Sequence, residues 1–382
     1  MKRYLQEKIA YLQLHTGEDE HLLIIPGERD ERLKNGRAVV YTIQSPLIST
    51  TSRYRALWRL GAVERILELE RPDIIESGDP YQMAWKAIAS GRGLGIPVVG
   101  FYHSHFPEAY LRSVAKFFGQ LATEFTMDAA RRYVTHLYNQ FERTLVPSPA
   151  LGSLLQDWGV ENTVNIDLGV NTQIFKPEPD DATMTRAEFG VLEGAILLLY
   201  VGRLAHEKNT RTLFEAFRVL SDQHPGQFHL LITGDGQQRG ELEALRRDFL
   251  QSSVGPSKVT WLPYCPDSEK LARLYRAADL FVHPGVQETF GLVALESQAC
   301  GTPVIGIRGS YMDRIIHSDQ AFWAVENSVQ ALAQAIVNAS GQDLKEVGAR
   351  ASVHVARHYS WNQVFDRLFA IYREVAHTGG RS

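Results

Sequence analysis

Residues 201–209 read Val201-Gly202-Arg203-Leu204-Ala205-His206-Glu207-Lys208-Asn209, between an apolar run at 195–201 and a helical pattern at 213–220. A buried strand that ends in glycine and is followed by a helix is the repeating unit of a parallel sheet. Open α/β sheets bind ligands at the carboxyl ends of their strands, where the two cations fall. Arg203 offers a planar fork and Lys208 a point charge, a combination suited to clamping a diphosphate. The competing reading makes them surface cations paired with Glu207 and its neighbours, worth under about 1 kcal/mol.

The same alternation runs outward in both directions. Strands are expected at 21–25, 38–43, 73–76, 98–102 and 144–147, and again at 195–201, 227–233, 258–262, 280–283 and 302–307. The fold class is therefore α/β with two doubly wound parallel sheets. A chain of 382 residues is long enough for two cores. A Gly, Pro and Asp-rich connection, 167–181, lies between the halves. Domains are expected at 1–168 and 169–360.

The second informative segment is Glu288-Thr289-Phe290-Gly291-Leu292-Val293-Ala294-Leu295-Glu296, preceded by Pro284-Gly285 and followed by Cys300-Gly301-Thr302-Pro303. Gly291 permits close backbone approach, and a helix starting there presents unbonded N–H groups to an anion. Glu288 on the loop and Glu296 on the helix are placed to grip different ligand hydroxyls. The alternative is an ordinary helix start, with Glu288 against the dipole and Glu296 solvated. A third segment, Thr233-Gly234-Asp235-Gly236-Gln237-Gln238-Arg239-Gly240, resembles a dinucleotide fingerprint with one residue too many. No acidic residue ends the next strand, so it reads as a tight turn near the ligand.

In the first half, His103 and His105 end a strand and share a face. No third ligand of matching spacing accompanies them, so a metal site is not expected. His103 is either a hydrogen-bonded rim residue or a group reaching a ligand. No two aspartates are separated by one residue, so no Asp-x-Asp metal clamp is present, and no Walker sequence occurs. A diphosphate leaving group would rely on Arg203, Lys208 and helix N–H groups.

Composition narrows the field. A net charge of −4 carries no broad cationic field, which disfavours nucleic acid as partner. Two distant cysteines, Cys265 and Cys300, fit a reducing cytoplasm, and no leader or spanning segment is evident.

Together 201–208, 288–296 and 299–304 resemble glycosyltransferase family 4, the retaining group 1 enzymes. Asn165 through Pro177 is similar to the family's interdomain segment, and Tyr359-Ser360-Trp361 through Tyr372 to its closing helix. The resemblance covers most of the chain and is nearest to bacterial mannosyltransferase and sulfoquinovosyltransferase-like members. It implies the GT-B fold, two Rossmann-like domains facing across a cleft, with 361–382 completing the first. It implies transfer of a mannose- or glucose-type hexose from GDP-mannose, UDP-glucose or a similar donor to a glycolipid, polysaccharide or small acceptor, without a metal or other cofactor. By position, Arg203 and Lys208 match the donor-diphosphate cations, Glu288 the sugar-hydroxyl ligand and Glu296 the ribose carboxylate. Phe290, Gly291 and Leu292 match the backbone that meets sugar and phosphate, Gly234 and Tyr264 flank the nucleotide, and His103 matches the histidine beside the transferred sugar.

One departure stands out: relatives open with a strand and a glycine-rich loop, whereas this sequence opens in helical pattern at 2–13. The expectation is a first strand missing from the N-terminal sheet, through a misassigned start or in an impaired product. Segment 108–142, with Phe117, Phe118, Leu121, Phe125, Met127, Tyr133 and Leu137, reads as two amphipathic helices, either core-facing or forming an acceptor flap or peripheral membrane contact. A sugar-nucleotide epimerase, an oxidoreductase and a non-catalytic nucleotide-sugar binder remain as alternatives, distinguished by their products.

Overall fold

The computed structural model describes residues 2–47, 55–103, 120–178, 181–252, 258–286, 290–310, 312, 315–317 and 319–379. Contacts divide the chain into a unit of Met1–Asp167 with Trp361–Ser382 and a unit of Leu168–Ser360.

The second unit is one five-stranded parallel sheet, built from β8 (Ile196–Val201), β9 (Phe228–Thr233), β10 (Lys258–Leu262), β11 (Leu280–Val282) and β12 (Val304–Ile305) in the order β10-β9-β8-β11-β12. Successive strand residues point to opposite faces, and both faces are covered. Leu197, Leu199, Leu231 and Phe281 enter one core, while Leu198, Tyr200, Leu230, Ile232, Leu280 and Val282 enter the other. That two-sided burial is why β8 reads as a continuous apolar run.

The first unit carries its strands in two sheets. One is β1 (His21–Gly27) beside β3 (Ala38–Gln44), with β2 (Glu31–Asn35) antiparallel on the far side of β3. The other is parallel, β4 (Ile75–Ser77), β5 (Val98–Phe101), β6 (Arg143–Val146) and β7 (Thr163–Asn165). Among the described residues, β1 and β4 each pair with a strand on one side only. Helix α1 (Lys2–His15) touches both sheets. Gln13 donates to the Asn35 carbonyl at 2.9 Å, and Lys8 Nζ reaches Glu76 Oε2 of β4 at 2.9 Å. Neither β2 nor β7 is evident in the hydrophobic pattern, because β2 is charged and β7 is three residues long. A signal for β2 does exist in Asn35-Gly36, a hairpin pair whose glycine adopts φ 58°.

Helices α2 (Leu60–Glu70), α3 (Gln82–Leu94), α4 (Gln120–Tyr138) and α5 (Pro149–Asp157) belong to the first unit. The second unit holds α6 (Asp181–Glu188), α7 (Thr210–Gln223), α8 (Arg239–Ser252), α9 (Ser268–Ala277), α10 (Leu292–Ala299), α11 (Val329–Ser340) and α12 (Leu344–His358). The closing helix α13 (Trp361–Gly379) returns to the first unit and packs on α1 through an aromatic cluster. Trp361 stacks on Phe365 with centroids 5.0 Å apart, and Tyr4 lies 5.8 Å from Phe365 and 5.3 Å from Phe101 of β5. Beneath it, Lys8 is 4% exposed and also donates to Tyr372 Oη at 2.9 Å, while Tyr4 donates to Glu76 at 3.2 Å.

Of segment 108–142, only α4 and the residues after it are described. Val134 and Leu137 face the core and Tyr133 packs against it, whereas the expected helix before residue 120 lies outside the described residues, as do the side chains of Phe117, Phe118, Leu121 and Phe125. No described helix is long and apolar enough to cross a membrane.

Candidate functional site

Chain order in the second sheet runs β8 to β9 to β10 in one direction and then returns to β11 and β12 on the other side of β8. The winding therefore reverses between β8 and β11, which pair through Leu198 with Leu280 and Leu199 with Phe281. At such a reversal the loops leaving adjacent carboxyl ends diverge, and the crevice between them takes ligands.

The loop after β8 is fixed by its backbone. Gly202 N–H donates to the Thr233 carbonyl at 3.1 Å and Leu204 N–H to that of Asp235 at 3.0 Å, with the Leu204 side chain fully buried as an anchor. A 3-10 turn, His206–Lys208, then leads into α7. Between them Asn209 takes a left-handed φ of 55°, and its Nδ2 donates to the Pro284 carbonyl at 3.0 Å in the loop after β11. Sequence reasoning does not single out Asn209, although asparagine is the residue type that best tolerates that conformation.

Arg203 is 69% exposed and pairs with Glu207 at 2.8 Å. In an exposed pair the attraction is screened, so Glu207 holds the guanidinium weakly. Lys208 sits two residues before α7 and is half-buried. The ion pair raised as the competing reading is thus present, and it leaves the cation accessible.

Two glycines after β9 bring chain against chain. A Cβ on Gly234, whose φ is 151°, would lie 1.9 Å from the Gly202 carbonyl oxygen, and one on Gly236 would lie 2.3 Å from that of Leu204. Both positions require glycine, and α8 starts beyond them. Next to them, Thr233 Oγ1 donates to the Pro263 carbonyl at 2.9 Å, and Tyr264 follows, 69% exposed.

After β11, Phe290 is 2% exposed and packs edge-on against Tyr359 with centroids 6.5 Å apart. Gly291 takes φ 80° and caps α10. Ala294 and Leu295 are the first helix residues to donate inward, both to the Gly291 carbonyl, so the amides of 291–293 lie at the positive end of the helix. Leu292 packs against the core. Glu296, one turn further, is 1% exposed and accepts a hydrogen bond from Tyr275 Oη at 3.2 Å, so the solvated alternative for this carboxylate does not hold. Glu288 lies outside the described residues.

In the other unit, His103 follows the carboxyl end of β5. Its Nδ1 is 3.4 Å from the Phe101 carbonyl, and burial holds the imidazole below its ordinary pKa, favouring the neutral ring. His105 lies outside the described residues. The structure thus assembles Arg203, Lys208, Gly234, Tyr264, Phe290, Gly291, Leu292 and Glu296 in one unit and places His103 in the other. Among the described residues no three His, Cys, Asp or Glu side chains are arranged to hold a metal ion. An open cavity in the first unit, lined by Arg131, His136 and Trp158, contains none of the candidate residues.

Comparison with known proteins finds the family described as glycosyl transferases group 1 over residues 181–345 and glycosyltransferase family 4 over residues 12–174. The chain is 31% identical over 330 residues to a GDP-mannose-dependent alpha-(1-6)-phosphatidylinositol dimannoside mannosyltransferase of Mycobacterium tuberculosis, covering 83% of this chain and 78% of that protein. It is 29% identical over 294 residues to a GDP-mannose-dependent alpha-mannosyltransferase of Corynebacterium glutamicum, covering 75% and 64%. The fold matches the sucrose-phosphate synthase of Thermosynechococcus elongatus with a TM-score of 0.75 at 21% identity, covering 98% and 93%, and is GT-B.

Proposed function

The chain belongs to the group 1 glycosyltransferases of family 4 and is a nucleotide-sugar-dependent hexosyltransferase; from that premise we propose that unit Leu168–Ser360 binds GDP-mannose and that the enzyme transfers mannose with retention of anomeric configuration. The observation that supports this reading is the reversal between β8 and β11, with the Arg203 and Lys208 loop leaving β8 and the glycine-capped helix α10 following β11. The mannose donor is the one named for the mycobacterial and corynebacterial relatives.

In this mechanism Arg203 leaves Glu207 for the donor diphosphate, and Lys208 with the amides of 291–293 carries the rest of its charge. These groups gain most as the sugar–phosphate bond breaks and negative charge accumulates on the leaving oxygen. The acceptor oxygen bonds to the anomeric carbon on the face the phosphate leaves, and the acceptor proton passes to the departing phosphate oxygen, so no protein nucleophile is assigned. Glu296 holds the ribose, Glu288 the sugar hydroxyls, and Tyr264 and Gly234 flank the nucleotide. His103, kept neutral, donates or accepts a hydrogen bond beside the transferred sugar. No metal or other cofactor enters this scheme, since the sequence lacks an Asp-x-Asp clamp.

The unit Met1–Asp167 with its closing helix supplies the acceptor side, and the acceptor is a glycan or a lipid-linked sugar. The two unpaired cysteines, Cys265 and Cys300, suit the reducing cytoplasm, with peripheral contact at the inner face of the membrane when the acceptor is lipid-linked. Calorimetric titration with GDP-mannose, UDP-glucose, UDP-N-acetylglucosamine and NAD tests the donor: selective binding of GDP-mannose is expected, and selective binding of another compound overturns the choice. Product analysis with the bound donor separates transfer from epimerisation.

A further inference from the structure

Of the six tryptophans, Trp58 alone is exposed, at 73%. Strands β1 and β3 are parallel neighbours, so the loops leaving their carboxyl ends lie side by side. Two ion pairs join those loops. Arg59 Nη1 contacts both oxygens of Asp30 at 2.9 and 2.6 Å, and Arg55 Nη2 contacts Glu28 Oε1 at 2.7 Å. The neck of the β3 loop is closed by a bridge between Leu47 and Arg55, by Ala56 N–H donating to the Pro46 carbonyl at 3.0 Å, and by Arg55 Nη1 donating to the Ser45 carbonyl at 2.8 Å. Asp30 is fixed from behind by the Gln44 amide at 2.7 Å. A large indole is thus left in water on the segment between Arg55 and Arg59, the two residues whose ion pairs join the loops.

We infer that exposed Trp58, next in sequence to Arg59 of the Arg59–Asp30 pair, is the platform on which the acceptor's pyranose ring stacks. A pyranose presents an apolar C–H face to an aromatic ring and a rim of hydroxyls to charged hydrogen-bonding groups, and this arrangement supplies both. An indole loses little conformational freedom on contact, and where a carboxylate and a guanidinium are paired the carboxylate accepts from one sugar hydroxyl while the guanidinium donates to another. Carboxyl-end loops of parallel strands are also where α/β units take their ligands. The inference rests on the transferase reading, because it assigns the acceptor side of that reaction.

The test has a binding arm and a kinetic arm. In the first, saturation-transfer NMR with methyl α-mannopyranoside is run on the native full chain and on Trp58→Ala and Trp58→Phe. Transfer to the probe is expected in the native chain, lost in Trp58→Ala and largely kept in Trp58→Phe. In the second, the acceptor KM rises about five- to tenfold in Trp58→Ala while GDP-mannose affinity by calorimetry stays unchanged. Equal saturation transfer in native chain and Trp58→Ala, or no transfer to the native chain, overturns the platform. So does a loss confined to flotation with anionic vesicles, which would assign Trp58 to a membrane surface. Probe binding that depends on Trp58 in a chain that binds no nucleotide sugar would instead sustain the platform and remove the transferase reading.

Discussion

Asn209 Nδ2 donates to the Pro284 carbonyl at 3.0 Å and so ties the loop leaving β8 to the loop leaving β11, across the line where the sheet reverses its winding. The residues bracketing that bond are Lys208 and Gly285, one from each loop. The two loops are therefore joined by a side-chain-to-backbone contact as well as by the sheet.

Arg203→Ala removes a cation whose ion-pair partner is exposed Glu207, so folding is expected to change by less than about 1 kcal/mol. Turnover should fall about a hundred- to a thousandfold, the loss seen when one transition-state charge partner is removed. Steady-state kinetics alongside thermal melting checks both, and unchanged turnover in a folded protein overturns the role.

Gly234→Ala places a Cβ 1.9 Å from the Gly202 carbonyl oxygen in a backbone of φ 151°. The clash is with main chain, which cannot swing away. A loss of about 2–4 kcal/mol in urea unfolding is expected, with weakened donor binding because the displaced partner is the loop that carries Arg203.

His229 of β9 is pushed down to about 4 by burial, with Lys258 and Arg186 adding to the shift, and its Nε2 lies 2.8 Å from Thr260 Oγ1. The unfolded ring takes its proton near the ordinary value of 6.5 and the folded ring only near 4. Stability is unaffected above pH 6.5 and is lost as pH falls through that interval, because the unfolded chain binds the extra proton. His229→Asn should flatten this acid limb in melting curves recorded across it, leaving the neutral-pH difference between the proteins constant.

Lys8→Met removes the cation paired with Glu76 beneath α1, where the pair's side chains are 5% and 14% exposed, and leaves the carboxylate only the Tyr4 and Tyr372 hydroxyls. Breaking a buried pair on one side costs about 3–5 kcal/mol, whereas replacing both members by apolar or neutral groups recovers most of it. The double variant Lys8→Met/Glu76→Gln should therefore be more stable than Lys8→Met alone in urea titrations, and equal stability would show that the two groups are not coupled.

The parallel strands were legible because each buries both faces, as β8 and β9 do, and reads as an unbroken apolar run with a helix behind it. Glycines 234 and 291 were legible as turn and helix-start signals, and the structure gives each a positive φ. The charged edge strand β2 was not, since its pairing lies in a hairpin whose only local mark is Asn35-Gly36. Nor was the burial of Glu296 beside Tyr275, a contact across twenty-one positions that no local pattern encodes.

Local sequence dictated the βα rhythm, the places where glycine is obligatory and the residue types that meet a diphosphate, all properties of segments a few residues long. Long-range packing alone set three other features: β11 returns to the side of β8 opposite β9, the first unit's strands divide into two sheets, and two ion pairs join the loops that leave β1 and β3. Strand order and side-chain exposure depend on contacts between distant segments, whose closure is rewarded only once the whole core has formed.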